Sequence, residues 1–219
     1  MLDFQFMQQC VPIFAKALSL TLYISFFGIL LSLLIGFICA WILFLKVPFV
    51  RYLVNAYVEV ARNTPLLIQL FFLYYGLHGV MGISLSEYVC AITGLAFLGG
   101  GYMCESFRTG LESMSKSQIE SAQSIGLSSF QMMRYVILPQ SLGVALPSIG
   151  ANVIFLLKET SVVGVIALAD VMFVTKDIIT NYYKTNEALL MLILSYLVVL
   201  LPLSFVFSLL EKSYKKRVL

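Results

Sequence analysis

One histidine, four dispersed cysteines and a thin supply of carboxylates leave little from which to build a catalytic centre. His78 is the only histidine in 219 residues, so a catalytic triad or a histidine-rich metal site is not expected. Cys10, Cys39, Cys90 and Cys104 have neither metal-ligand nor redox spacing and read as small buried hydrophobes. No Gly-x-x-x-x-Gly-Lys-Ser/Thr loop is present, so the chain is not expected to hydrolyse ATP by that route. The remaining polar residues with informative spacing fall in three places. Glu105 and Arg108 lie three apart on one helix face, where they can pair, either structurally or as part of a gate. Lys158-Glu159-Thr160-Ser161 interrupts an apolar run. Charge within a membrane is costly unless paired or wet, so this tetrad either faces a polar path or sits at the outer surface. The third place is the polar stretch Ser115–Pro139.

The elements that must position these groups are dictated by composition. Hydrophobic residues make up 60% and charged residues 11%, against roughly 45–50% and about 25% in soluble domains. Leu18 to Leu45 carries no charge and is long enough to cross a bilayer. With Asp3 ahead of it and no basic leader, it reads as a retained span, not a cleaved signal. Backbone groups in lipid need internal partners, so the spans are helices. The expected architecture is an all-α polytopic membrane protein, a single domain over 1–219. About five spans are expected, at 18–45, 65–80, 88–107, 141–171 (interrupted near 158) and 189–210. A helix over Phe49–Arg62, with Val50, Leu53, Val54, Tyr57 and Val58 at helical spacing, precedes the second, and Pro65 is placed to open it. Gly99-Gly100-Gly101 in the third span suits close helix packing.

With the N-terminus outside, ten of the 14 lysines and arginines face the cytoplasm: Lys46, Arg51, Arg62, Arg108, Lys116, Arg134, Lys212, Lys215, Lys216 and Arg217. Lys16, Lys158, Lys176 and Lys184 face out. This asymmetry predicts N-out, C-in, with Ser115–Pro139 as a cytoplasmic loop. The basic tail is a topology signal at a lipid surface and not a nucleic-acid site. Within the loop, Ser117 and Glu120 have capping-box spacing, as do Ser128 and Gln131. Gly126 can stop the first helix in the left-handed conformation, and Pro139 ends or redirects the second. Two short helices around a glycine turn make either a rigid knob for a partner or a structured loop without one.

Glu120-Ser121-Ala122, then Gly126-Leu127, then Val136-Ile137-Leu138-Pro139 resembles the EAA loop of type I ATP-binding-cassette importer permeases. Ser121 stands for Ala and Val136 for Ile. Glu59-Val-Ala-Arg62-Asn63-Thr64-Pro65 and Tyr102-x-x-Glu105-x-x-Arg108-x-Gly110 are similar to segments of the polar amino-acid permeases, as is Leu157-Lys158-Glu159-Thr160-Ser161, where Glu159 replaces the family's usual Asp. The resemblance implies a non-catalytic subunit of the bacterial inner membrane, importing a polar amino acid. It implies a second permease subunit, a separate ATPase holding ATP and magnesium, and an extracytoplasmic binding protein; this chain itself needs no cofactor. It implies ATPase coupling through Ser117, Glu120, Ser121, Ala122, Gly126, Leu127 and Pro139. Glu159, Thr160, Ser161, Asn63 and Thr64 would line the substrate path, Glu159 accepting the ammonium and Thr160 and Ser161 donating to the carboxylate. An ATP-independent channel is the competing function, separated from this one by whether an ATPase copurifies.

Overall fold

The computed structural model describes residues 2–218, with side chains through Tyr214; the side chains of Lys215, Lys216 and Arg217 in the topology reading lie outside the described residues. Every element among the described residues is helical. The first, α1 (Phe4–Phe44), starts well before the expected Leu18. Asp3 caps it, accepting from the Phe6 N–H at 3.0 Å. The added turns bury Cys10, Phe14 and Ala17 against Val171, Val174 and Ile178 and against Ala188 and Met191. At 41 residues, α1 is about 60 Å long, twice the hydrocarbon core of about 30 Å. Tertiary packing and not hydropathy therefore sets the length of its first turns.

The second expected span, 65–80, and the helix expected before it are both present and meet at a sharp bend. α2 (Val50–Asn63) and α3 (Leu66–Met81) meet at 104°. Pro65 sits at the N-cap of α3, and Thr64 before it is extended, as a residue preceding proline tends to be. The α2 periodicity is half met: Val54 and Val58 are buried, whereas Val50 and Leu53 are exposed. A wider π turn, Phe72–Gly76, lies inside α3.

α4 (Glu87–Glu112) is the central helix. It runs parallel to α1 in constant register, Gly28 against Leu95, Ser32 against Gly99 and Gly36 against Met103. Ser32 locks the seam by donating to its own helix at Gly28 O (2.7 Å) and across to Leu95 O (3.1 Å). The expected packing role of the three glycines is what the structure displays. Successive helical residues point about 100° apart, so each meets a different neighbour: Gly99 meets Ser32 and Leu156, Gly100 meets Tyr57 and Ile35, and Gly101 meets Ala61 and Arg62.

After the nine-residue α5 (Lys116–Ser124), α6 (Ser129–Ile166) runs as one helix of 38 residues. This corrects one expectation. Pro139 neither ends nor redirects the helix, because the π turn Met133–Ile137 precedes it and the Leu138 N–H closes on Met133 O. That wider turn absorbs the missing proline donor and the ring's clash with the preceding turn. The interruption expected near 158 is a change of helix type, since the α-helical part ends at Glu159. The helix winds through both and tightens to 3₁₀ over Thr160–Ile166, ending at Ala167 with φ of 64°. α7 (Val171–Tyr182) and α8 (Thr185–Val218) complete the chain. Lys184 pairs with Asp3 at 2.9 Å, pinning the start of α1 to the α7–α8 turn.

Asp170 caps α7 from a fully buried position, accepting from Phe173 N–H at 2.9 Å and Met172 N–H at 3.2 Å. Burial outweighs these bonds and pushes its carboxyl up to about 6 from 3.8. The folded chain therefore holds a proton that the unfolded chain has released across this window, and stability falls as pH rises from about 4 to 6. Asp170→Asn keeps a capping side chain. The variant is expected to lose this part of the pH slope and to gain on wild type by up to about 3 kcal/mol above pH 6. Thermal unfolding in detergent at pH 4 and pH 7 checks it; parallel pH dependences for both proteins would refute it.

Candidate functional site

The loop between α4 and α6 is built by its caps. Ser115, not Ser117, starts α5: its hydroxyl accepts from Gln118 N–H at 3.3 Å, and Gln118 Oε1 accepts from Ser115 N–H at 3.3 Å. Both candidate boxes have the right spacing. Gln118 prevails because its amide also donates, reaching Gln140 Oε1 at 2.8 Å and tying α5 to α6; a carboxylate at Glu120 has no proton to give. Ser117 is thus an exposed residue in the first turn of α5. The second box, Ser128 with Gln131, is present as expected. So is the glycine stop. Gly126 has φ of 80°, its N–H donates to Gln123 O at 2.9 Å, and Leu127 N–H donates to Ala122 O at 3.2 Å. This pair of bonds is the Schellman closure of a helix.

Ala122 is buried and seats the helix, whereas Glu120 and Ser121 are exposed. Beside the glycine turn, Ile125 is 77% and Phe130 74% exposed, two large apolar side chains on an otherwise polar knob. Neither stood out in the sequence reading, because a lone apolar residue in a polar loop has no periodicity. Beneath the knob, Ile137 packs in a cluster with Ala40, Val54, Val58, Cys104 and Leu111, joining α6 to α1, α2 and α4. A push on α5 reaches α6 through the Gln118–Gln140 hydrogen bond, and Ile137 of α6 packs against three other helices.

At the same end Glu105 pairs with Arg108 at 2.7 Å, as its spacing predicts. Arg62 joins from α2, 3.7 Å from Glu105 and over the Tyr102 ring. Being partly exposed, these pairs contribute little stability individually, and they latch the end of α2 onto α4. The described hydrogen bonds of the Asn63 and Thr64 side chains stay within α2 and do not reach Lys158–Ser161. Asn63 donates to Glu59, and the Thr64 hydroxyl bonds Val60 O.

The opposite wall is set by α4 and α6, which run antiparallel: Gly110 meets Ser141, Ser106 meets Ser148, Asn152 meets Tyr102 O and Gly99 meets Leu156. Continuing that register sets Glu159 level with Leu95, about 12 Å inward from the start of α4. Glu159 thus lies about two turns inward from the start of α4. It is half-buried, and among the described residues it has no ion-pair partner. Thr160 is turned inward, fully buried and donating to Leu157 O at 2.7 Å, so it does not share a path with Glu159. Ser161 lines a separate cavity of about 380 Å³ with Lys176, Asp177 and Thr180.

Comparison with known proteins places these features in a wider set. Residues 32–217 match the family model for the binding-protein-dependent transport system inner membrane component. The chain is 35% identical over 89% of its length, and 88% of the relative's, to a probable amino-acid ABC transporter permease protein, PatM, of Vibrio harveyi. It is 32% identical to the L-cystine transport system permease protein TcyL of Bacillus subtilis, covering 98% of this chain and 92% of that one. Its structure superposes on the crystal structure of an amino acid ABC transporter with histidines at a TM-score of 0.89 and 31% identity, over 97% and 99% of the two chains.

Proposed function

Because the chain belongs to the family of binding-protein-dependent transport system inner membrane components, we propose that it is the transmembrane subunit of an ATP-driven importer of polar amino acids. The observation that carries this reading is the capped α5 knob, with Ile125 and Phe130 exposed at a glycine turn and tied to α6 by the Gln118–Gln140 bond. A separate ATPase grips α5 in the cytoplasm, and closure of its dimer moves the inner ends of α1, α2 and α4 together. A second permease subunit completes the path, and an extracytoplasmic binding protein supplies the cargo. The N-terminus lies outside, in keeping with the distribution of lysines and arginines. The names of the similar permeases support the cargo class, and the absence of a phosphate-binding loop supports a non-catalytic role.

Glu159 is the cargo-facing carboxylate in this reading. An ionisable group within a membrane helix and without an ion-pair partner needs water or a solute to satisfy it, and an α-ammonium group does so. The test is uptake into proteoliposomes containing the chain, its ATPase and its binding protein. ATP-dependent accumulation of a labelled amino acid is expected. Glu159→Ala is expected to lower it about tenfold or more, the cost of one charge-assisted hydrogen bond. Accumulation without ATP would overturn the coupling assignment, and unchanged uptake by Glu159→Ala would remove Glu159 from the path.

A further inference from the structure

We propose that the cleft between the outer half of α1 and the start of α4 binds a zwitterionic phospholipid whose headgroup carries a primary ammonium. The cleft has a volume of about 900 Å³ and is lined by Lys16, Leu20, Tyr23, Glu87, Tyr88 and Val174, among others. The α1–α4 register, carried two turns outward from Gly28 and Leu95, sets Leu20 level with Glu87. Lys16 then stands four residues beyond, an axial step of about 6 Å. The two opposite charges line one cleft from different helices, yet among the described residues they form no ion pair with each other or with any other group. Nor does either side chain have a described hydrogen bond; the Ser19 hydroxyl goes to the Lys16 carbonyl.

A cation and an anion held apart across a cleft complement a ligand that carries both signs. The rest of the lining indicates which ligand. Leu20 and Val174 provide an apolar floor suited to acyl chain. Tyr23 and Tyr88, 51% and 42% exposed, stand at the level where α4 begins. Tyrosines collect at the bilayer–water boundary, where an apolar ring and a polar tip are both satisfied. A headgroup lying across the cleft presents its phosphate to Lys16 and its ammonium to Glu87, two charge-assisted contacts. This site depends on the chain's insertion in a bilayer and goes beyond the importer reading.

Native mass spectrometry of the purified chain, released from detergent after exposure to equal phosphatidylethanolamine and phosphatidylglycerol, tests the proposal. Wild type is expected to retain phosphatidylethanolamine in preference. Glu87→Gln is expected to lose that preference about tenfold, since only the ammonium contact is removed, and Lys16→Ala to retain less of both lipids. Lys16→Arg and Glu87→Asp keep the charges and are expected to keep the preference, which separates binding from misfolding. Equal retention of the two lipids by wild type, or an unchanged preference in Glu87→Gln, would overturn the proposal. Displacement of the lipid by a free amino acid would overturn it too, making the cleft a cargo site. Uptake is measured separately, so failure here leaves the importer assignment standing.

Discussion

Gly126→Val is expected to leave the chain inserted in the membrane while abolishing its grip on the ATPase. The site is open, since a Cβ built on Gly126 meets nothing within 4 Å, so the effect is conformational and not a clash. Its φ of 80° lies where a β-branched residue is strained, at a cost of about 1–3 kcal/mol. Relaxing that strain breaks the two closing bonds, Gly126 N–H to Gln123 O and Leu127 N–H to Ala122 O. A nine-residue helix is too short to persist on its own propensity, so losing the closure melts α5 and scatters Ile125 and Phe130. Membrane abundance and thermal midpoint should stay near wild type, whereas ATPase copurification and ATP-driven uptake fall together by more than about tenfold. Gly126→Asn, which tolerates the left-handed region, should retain most of both. Equal behaviour of the valine and asparagine variants would show that the turn conformation is irrelevant to coupling.

Gly36→Leu is expected to give a large loss of stability. A Cβ at Gly36 would lie 2.8 Å from the Cys104 backbone nitrogen and from the Met103 carbonyl carbon. Backbone cannot rotate away as a side chain can, so α1 and α4 must separate along their whole parallel seam. Overpacking of this kind typically costs about 1–3 kcal/mol and more where backbone is obstructed. Even Gly36→Ala introduces the offending atom. Gly79→Ala is the internal control, because nothing lies within 4 Å of its Cβ position; in a helix this change should stabilise by about 0.5–1 kcal/mol. Thermal midpoints in one detergent compare them, and a Gly36→Leu midpoint matching Gly79→Ala would mean that the seam is not close-packed in the membrane.

Much of the site was legible because it rests on local chemistry. Ser128 with Gln131, and Gly126 as a helix stop, follow from which side chains can satisfy free N–H groups and which backbone can turn left-handed. The pairing of Glu105 with Arg108 follows from helical spacing alone. What misled were choices between equally valid local options. Ser115 with Gln118 and Ser117 with Glu120 have identical spacing, and only Gln140 on a distant helix decides between them. Pro139 is a helix breaker by its own chemistry, and the π turn that accommodates it is a property of the packed helix.

The apolar runs and the lysine and arginine asymmetry determined by themselves that this chain is a bundle of membrane helices with a capped loop on its basic side, since the cost of unpaired backbone in lipid and the bias of positive charge act on sequence directly. Tertiary structure alone decided that α1 reaches back to Phe4, that α2 and α3 meet at 104°, and that Thr160 faces the interior while Glu159, among the described residues, has no ion-pair partner. Each of these depends on a neighbour far along the chain: α7 and α8 against the start of α1, α4 against α2, and the antiparallel register of α4 with α6 at Glu159. Hydropathy shows that a residue is within the bilayer, but which side of a helix meets protein is settled only when the partner helix is in place.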